Sequence, residues 1–241
     1  LNALQTNSGY YSYIATKVQK YQINGQDTLI YLSPREITLS NYASKNNKTY
    51  EYTHGFGSII TKASSVDETG NIEYIQKSFD GTDNNIYIDE PRIYFGMQTD
   101  STIITNSESK SEFDYPTNLT NMSGYTYNGT SGINLNFIDK LILTIKKGDI
   151  NILFSNSTKD SKFILNRNII ERAKTIMPDL VYDPKPYMII SDEGRQIWVL
   201  DAYTTSNNYP YSQETVIEYE GLKEKINYIR NSVKVLIDPY N

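Results

Sequence analysis

The sequence has no cysteine and a single histidine, His54. The first absence excludes disulfide frameworks and thiolate chemistry, and the second excludes multi-histidine zinc sites. Apolar runs such as Leu141 to Leu143 fall far short of the roughly 20 residues that a helix needs to cross a bilayer. Positive charge is also scarce. The 23 Lys and Arg stand against 28 Asp and Glu, giving a formal charge of −5, so the electrostatic footprint of a nucleic-acid partner is missing. No initiator Met and no basic-then-apolar leader precede Leu1-Asn2-Ala3, which reads as a processed or excised piece. What is present is 241 residues, enough for one large domain or two small ones, with 22 Tyr among abundant Asn, Ser and Thr. That mixture suits the hydrogen-bonding surface of an exported protein, and the codon usage of an AT-rich genome produces it equally well. No motif asks for a cofactor.

The first half reads as β-rich. Residues 16–23 and 27–32 flank Asn24-Gly25, a dipeptide that supplies the positive φ angles of a tight hairpin. Ser33-Pro34-Arg35-Glu36 has a capping Ser, a Pro at the first helical position and a Glu three residues after the cap, which predicts a short helix. Segments 56–63, 71–77, 92–97 and 102–106 read as antiparallel strands between turn-formers. From Pro116 to Gly132 aliphatic residues nearly vanish, so the chain divides into a β-rich lobe, 1–120, and an α+β lobe, 121–241.

In the second lobe Asn134 can cap a helix carrying Ile138, Leu141, Ile142 and Ile145 and ending at Lys146-Lys147-Gly148. A longer helix is predicted over 160–177. Phe163, Leu165, Ile169, Ile170, Ala173, Ile176 and Met177 project onto an arc of roughly 160°. Asn166 falls inside that arc, as a buried amide with a partner, and Arg167 lies on the polar side. A hairpin follows, 187–191 and 195–203, with Trp198, Leu200 and Ala202 on one face. Residues 227–238 form another strand with Ile229, Val233, Val235 and Ile237 on one side, ending in Asp238-Pro239-Tyr240-Asn241, turn chemistry that suggests a cut before the next strand. The fold class is therefore α+β, with helices packed on an antiparallel sheet in the second half, a cystatin-like layer being one option.

Five strings then stand out: EYTHGFG at 51–57, PRIYFG at 91–96, EFDYP at 112–116, DAYTTSNNYPYS at 201–212 and NYIRNSVKVLID at 227–238. Together they resemble uncharacterised protein family 0182, bacterial multi-pass membrane proteins with a large soluble segment outside the membrane. The resemblance runs in order from about Tyr21 to Asp238. It is weak over the first 20 residues and over 117–124. It implies a location on the extracytoplasmic side of the cell membrane and, as partner, the protein's own membrane helices before Leu1. It implies no catalytic residue.

The chemistry must come from the residues. His54 between Thr53 and Gly55-Phe56-Gly57 offers either a lone general base or an imidazole fixed by hydrogen bonds at a strand start. Ser107-Glu108-Ser109-Lys110 and Ser206-Asn207-Asn208 imitate two penicillin-binding motifs, but no K-T-G follows. Glu112 and Asp114, two apart on a strand, can pair for glycoside hydrolysis or simply face solvent. Asp80, Asp83, Asn84, Asn85, Asp89 and Glu90 gather oxygens as calcium prefers, without the EF-hand glycine. No metal site is expected. The best binding segment is Tyr203 to Ser212, where Tyr203, Tyr209 and Tyr211 give rigid contact area and Thr205, Asn207 and Asn208 adaptable hydrogen bonds. With His54 and Asp114 these are the candidate ligand-binding residues. The favoured function is a recognition or scaffolding module for an envelope protein or glycan. The alternative is an envelope-polymer hydrolase using acids near Asp114 or Asp201.

Overall fold

The computed structural model describes residues 10–38, 44–79, 83, 85–117, 121–219 and 222–241. Strand outweighs helix, and the named strand pairs are all antiparallel. The first sheet holds β1 (Tyr11–Tyr13), β2 (Lys17–Ile23) and β3 (Gln26–Ile37). Asn24 and Gly25 turn β2 into β3 with φ of 51° and 78°, as the dipeptide demands. The helix expected after Ser33 does not form. Ser33 to Glu36 continue β3, with Arg35 and Glu36 buried, because distant partners outbid the local capping signature. Pro34 fits a strand that pairs with Ser58, and Arg35 N–H still reaches the Gly57 carbonyl at 2.9 Å.

Next come α1 (Lys45–Tyr50), β4 (Gly55–Phe56), β5 (Ser58–Val66), β6 (Ile72–Gln76), β7 (Arg92–Ile93) and β8 (Ile103–Ser107). β5 and β6 complete the first sheet, and β4 pairs with β7. β9 (Glu112–Pro116) pairs with β10 (Asn121–Tyr125). β11 (Ile133–Asn134), α2 (Phe137–Lys147), a 3-10 turn (Ile150–Ile152) and β12 (Ser157–Ile164) follow. β8, β12 and β11 share one sheet, so hydrogen bonding crosses the division at residue 120. So does the largest apolar cluster, which joins Ile30, Leu32 and Ile60 to Met188, Trp198 and Leu200.

Helix α3 (Ile169–Ile176) is shorter than the predicted 160–177. Its first half is instead β12, where Ser161 and Phe163 alternate inward at the two-residue period of a strand. Asn168 caps α3, accepting from the N–H groups of Ile170 and Glu171. Asn166 is not a buried amide. It is an exposed turn residue with φ of 51°, whereas Arg167, expected outside, is buried. α2 begins after Asn136, which caps it, and ends on Gly148 at φ of 64°.

β13 (Val181–Tyr182), β14 (Tyr187–Ile190), β15 (Gln196–Ser206) and β18 (Tyr228–Ile237) form the last large sheet, with the β16 (Thr215–Tyr219) and β17 (Leu222–Ile226) hairpin beyond it. Trp198, Leu200 and Ala202 all face inward, in one cluster with Ile169 and Ala173 of α3. The expected common face of β18 holds only from Val233 to Ile237. A bulge between Asn231 and Val233 shifts the phase, so Ile229 pairs with Thr205 and is exposed.

Candidate functional site

Three of the sequence strings meet in one buried polar centre. Glu112 accepts hydrogen bonds from Thr53 Oγ1, from Tyr94 Oη at 2.8 Å and from the Asn106 N–H at 3.0 Å. Two residues along β9, Asp114 takes the fork of Arg92, with Nε and Nη2 each at 2.8 Å. The third Arg92 nitrogen donates to Glu90 at 3.0 Å, and the guanidinium lies 3.4 Å from the Tyr125 ring centre. The His54 ring packs against that of Tyr94 at a tilt of 47°, with ring centres 4.9 Å apart. Its Nδ1 faces the Gly55 carbonyl at 3.0 Å, and its Nε2 stands 3.9 Å from Asp114, beyond hydrogen-bond reach.

Arg167 closes the centre from the start of α3. It donates to the carbonyls of Tyr94 at 2.7 Å, of Ser101 at 3.2 Å and of Thr53. Glu36, on the inner side of β3, accepts from the N–H groups of Met97 and Gln98 at 2.8 and 2.7 Å. Two glycines of the strings are fixed by close approach. A methyl at Gly55 would overlap the Arg35 carbonyl oxygen, and one at Gly96 would overlap the Glu36 carboxylate.

Burial sets the protonation of this centre. It pushes Glu36 up to about 7 against the pull of its two N–H donors, and it raises Glu112 as well. It also drives His54 down to about 3, so the imidazole is neutral, and holds Arg167 at about 10. Arg92 loses by desolvation too, but the Asp114 fork and Glu90 more than compensate and hold it above its ordinary value. Chemically this is a braced interior. Each carboxylate is engaged by donors, and His54 and Glu112 are fully enclosed.

His54 and Asp114 are thus neighbours, and Glu112 and Asp114 face inward rather than to solvent. The tyrosine-rich segment lies elsewhere. Tyr203 and Thr205 belong to the end of β15, opposite Asn231 and Ile229. Asn207 and Asn208 are exposed. Tyr209 stacks on Tyr228 at 4.8 Å and is clasped by Asn227, whose amide both accepts from its N–H and donates to its carbonyl. Tyr211 is fully exposed at φ of 62°. Asp201 lines a cleft of about 500 Å³ with Lys17, Asp183, Pro186 and Tyr187, and its bond to Lys234 holds its carboxyl below the usual range.

The remaining oxygen-rich stretch is engaged by its own turn. Asp83 accepts from the N–H groups of Lys77 and Ser78, Asp89 from Tyr87 Oη, and Glu90 pairs with Arg92; Asp80 and Asn84 lie outside the described residues. Among the described residues no three His, Asp or Glu side chains are grouped to hold a metal ion. Ser107 ends β8 and donates to the Asn156 carbonyl at 3.0 Å. Sequence reasoning missed Arg167, Glu36 and Tyr94 as members of the centre. For Tyr94 the PRIYFG string was the available signal. For Arg167 and Glu36 there was none, since their partners are distant in sequence.

The family model described as "Uncharacterised protein family (UPF0182)" matches residues 1–241. A UPF0182 protein of Clostridium tetani is 44% identical over 241 residues, covering 98% of this chain and 26% of that protein. Relatives in Clostridium botulinum strain Loch Maree and Clostridium perfringens strain ATCC 13124 are 43% and 38% identical, with 98% and 99% of this chain covered. The chain spans about a quarter of the length of the curated relatives it matches. No solved structure matches it. With the match extending from end to end, the chain belongs to the uncharacterised protein family UPF0182.

Proposed function

We propose that the chain is the extracytoplasmic soluble portion of a bacterial membrane protein and serves there as a recognition or scaffolding module. The observation that carries this reading is where the polar side chains point. Thr53, Arg92, Tyr94, Glu112 and Asp114 of the strings 51–57, 91–96 and 112–116 bond one another inside the protein, as a rigid scaffold requires, while Tyr209 and Tyr211 stand out beyond the β15 strand. Ile169 and Ala173 of α3 share an apolar cluster with Met188, Trp198 and Leu200, and a helix-on-sheet layer in the second half would stiffen that strand at its root. A partner protein or glycan of the envelope would meet the exposed tyrosines, and the membrane helices implied by the family resemblance would hold the module at the surface. Glycan hydrolysis needs a raised acid and an ionised carboxylate facing one cleft. Glu112 is raised but enclosed, and Asp201 faces a cleft but is held low by Lys234. Binding therefore fits the geometry better.

The test uses the full-length protein in its native membrane, freed of any other cysteine. Tyr211→Cys should react with a membrane-impermeant maleimide in intact cells. A photo-crosslinker at 211 should capture one discrete envelope component, absent with the crosslinker at buried Ile93. Labelling only after permeabilisation would overturn the location. Release of glycan ends by wild type but not by Glu112→Gln would replace recognition with hydrolysis.

A further inference from the structure

Helix α2 turns its apolar side outward. At 100° per residue Phe137, Leu141, Ile145, Ile138 and Ile142 fall within an arc of about 140°. These five are 44–75% exposed, whereas Leu143, on the opposite side, is buried against Ile104, Leu135, Ile152 and Phe163. The turn packed beside α2 adds exposed Ile150 and Phe154. The arc is not what holds the helix. Its Asn136 cap, its left-handed Gly148 end and Leu143 do that. So large an exposed apolar face marks a contact surface.

We infer that this face lies in the plane of an anionic lipid surface. Two observations select lipid over a protein partner. First, protein interfaces favour Tyr, Trp, Phe, Arg and Met, yet in a chain with 22 Tyr the arc holds one Phe and otherwise only Ile and Leu, side chains that dissolve in acyl chains. Second, the charge is complementary. Within α2 stand Lys140, Lys146 and Lys147 against Asp139, in a protein whose formal charge is −5. Lys146 borders the arc about 40° beyond Ile142, so its ammonium group can rise to the headgroups while the arc enters the interface; Lys147 lies about 100° further round, on the side of Leu143. At about 16 Å long, α2 has the length of a short in-plane anchor rather than a span.

The experiment is co-sedimentation of the folded chain with vesicles of equal parts phosphatidylglycerol and phosphatidylcholine, and with phosphatidylcholine alone. Wild type should bind the mixed vesicles and bind the neutral ones less. Ile142→Ser/Ile145→Ser should lower the partition coefficient about tenfold or more with an unchanged melting temperature. Lys146→Gln should lower it by about fivefold on the mixed vesicles only. Tyr211→Ser should leave it unchanged, which separates this face from the tyrosine-rich loop. Absence of wild-type binding, or equal binding by the Ile variant, overturns the inference. A wild-type dimer split by the Ile variant, with no vesicle binding, overturns it in favour of a second copy of the chain.

Discussion

Two regions of this protein invert the usual sorting of side chains. Around Glu112 the interior holds two arginines, three carboxylates and a histidine, while along α2 five large apolar side chains face outward. The difference teaches that partners, not polarity alone, decide burial. Arg167 is tolerated inside because three carbonyls receive it and Glu36, Glu112 and Asp100 lie near, and α2 needs only its two caps and Leu143 to be seated. The interior should therefore be costly to alter and the outer helix nearly free.

The largest effect is expected from Arg167→Met, which strands the carbonyls of Tyr94, Ser101 and Thr53 and leaves Glu36 and Glu112 without their nearby cation. Urea denaturation should show a loss of about 3–5 kcal/mol. A loss under about 1 kcal/mol would mean that the interior is not braced by this residue. Gly96→Ala comes next, because the new methyl meets a locked Glu36 carboxylate; a cost of about 2–3 kcal/mol is expected in the same assay.

The pH dependence is a third and gentler probe. His54 falls from an ordinary 6.5 to about 3 on folding, so its contribution is present above 6.5 and is lost as pH falls toward 3, by about 1.4 kcal/mol per pH unit. Glu36 rises from 4.5 to about 7, so its contribution is present below 4.5 and is lost as pH rises toward 7 at a similar slope. Between about 4.5 and 6.5 the two oppose each other, and stability from this pair should be nearly flat. Glu36→Gln should unmask the histidine slope across that window in denaturation curves taken at several pH values. An unchanged flat profile would count against the assignment. The smallest effect belongs to the outer helix, where Ile145→Ser should stay within about 0.5 kcal/mol of wild type.

Much of the local structure was legible. Asn24-Gly25 fixes its hairpin by its own backbone freedom, and the alternation from Gln196 to Ala202 needs no distant information to read as a strand. The failures share one cause. Ser33-Pro34-Arg35-Glu36 carries each local mark of a helix start, but the Glu36 carboxylate finds its donors some sixty residues on. Residues 160–164 satisfy a helical arc and a strand alternation alike, and pairing with β8 decides between them. For the site, the strings around His54, Arg92 and Glu112 drew notice in sequence, yet only their folded proximity shows that they brace one another. Arg167, an arginine beside a helix, carries no mark of its destination.

The Tyr94 and Phe95 N–H groups both donate to the carbonyl of Pro239, at 2.7 and 2.9 Å. On a ribosome adding about 5–20 residues per second, the acceptor is made about 7–30 s after its donors. Throughout that interval the apolar Ile93-Tyr94-Phe95 segment lacks its closing bond and its cover by Tyr240. Slow translation between these points therefore lengthens the exposure of a β-prone segment to aggregation and proteolysis, and synonymous changes that speed it should raise the yield of folded protein.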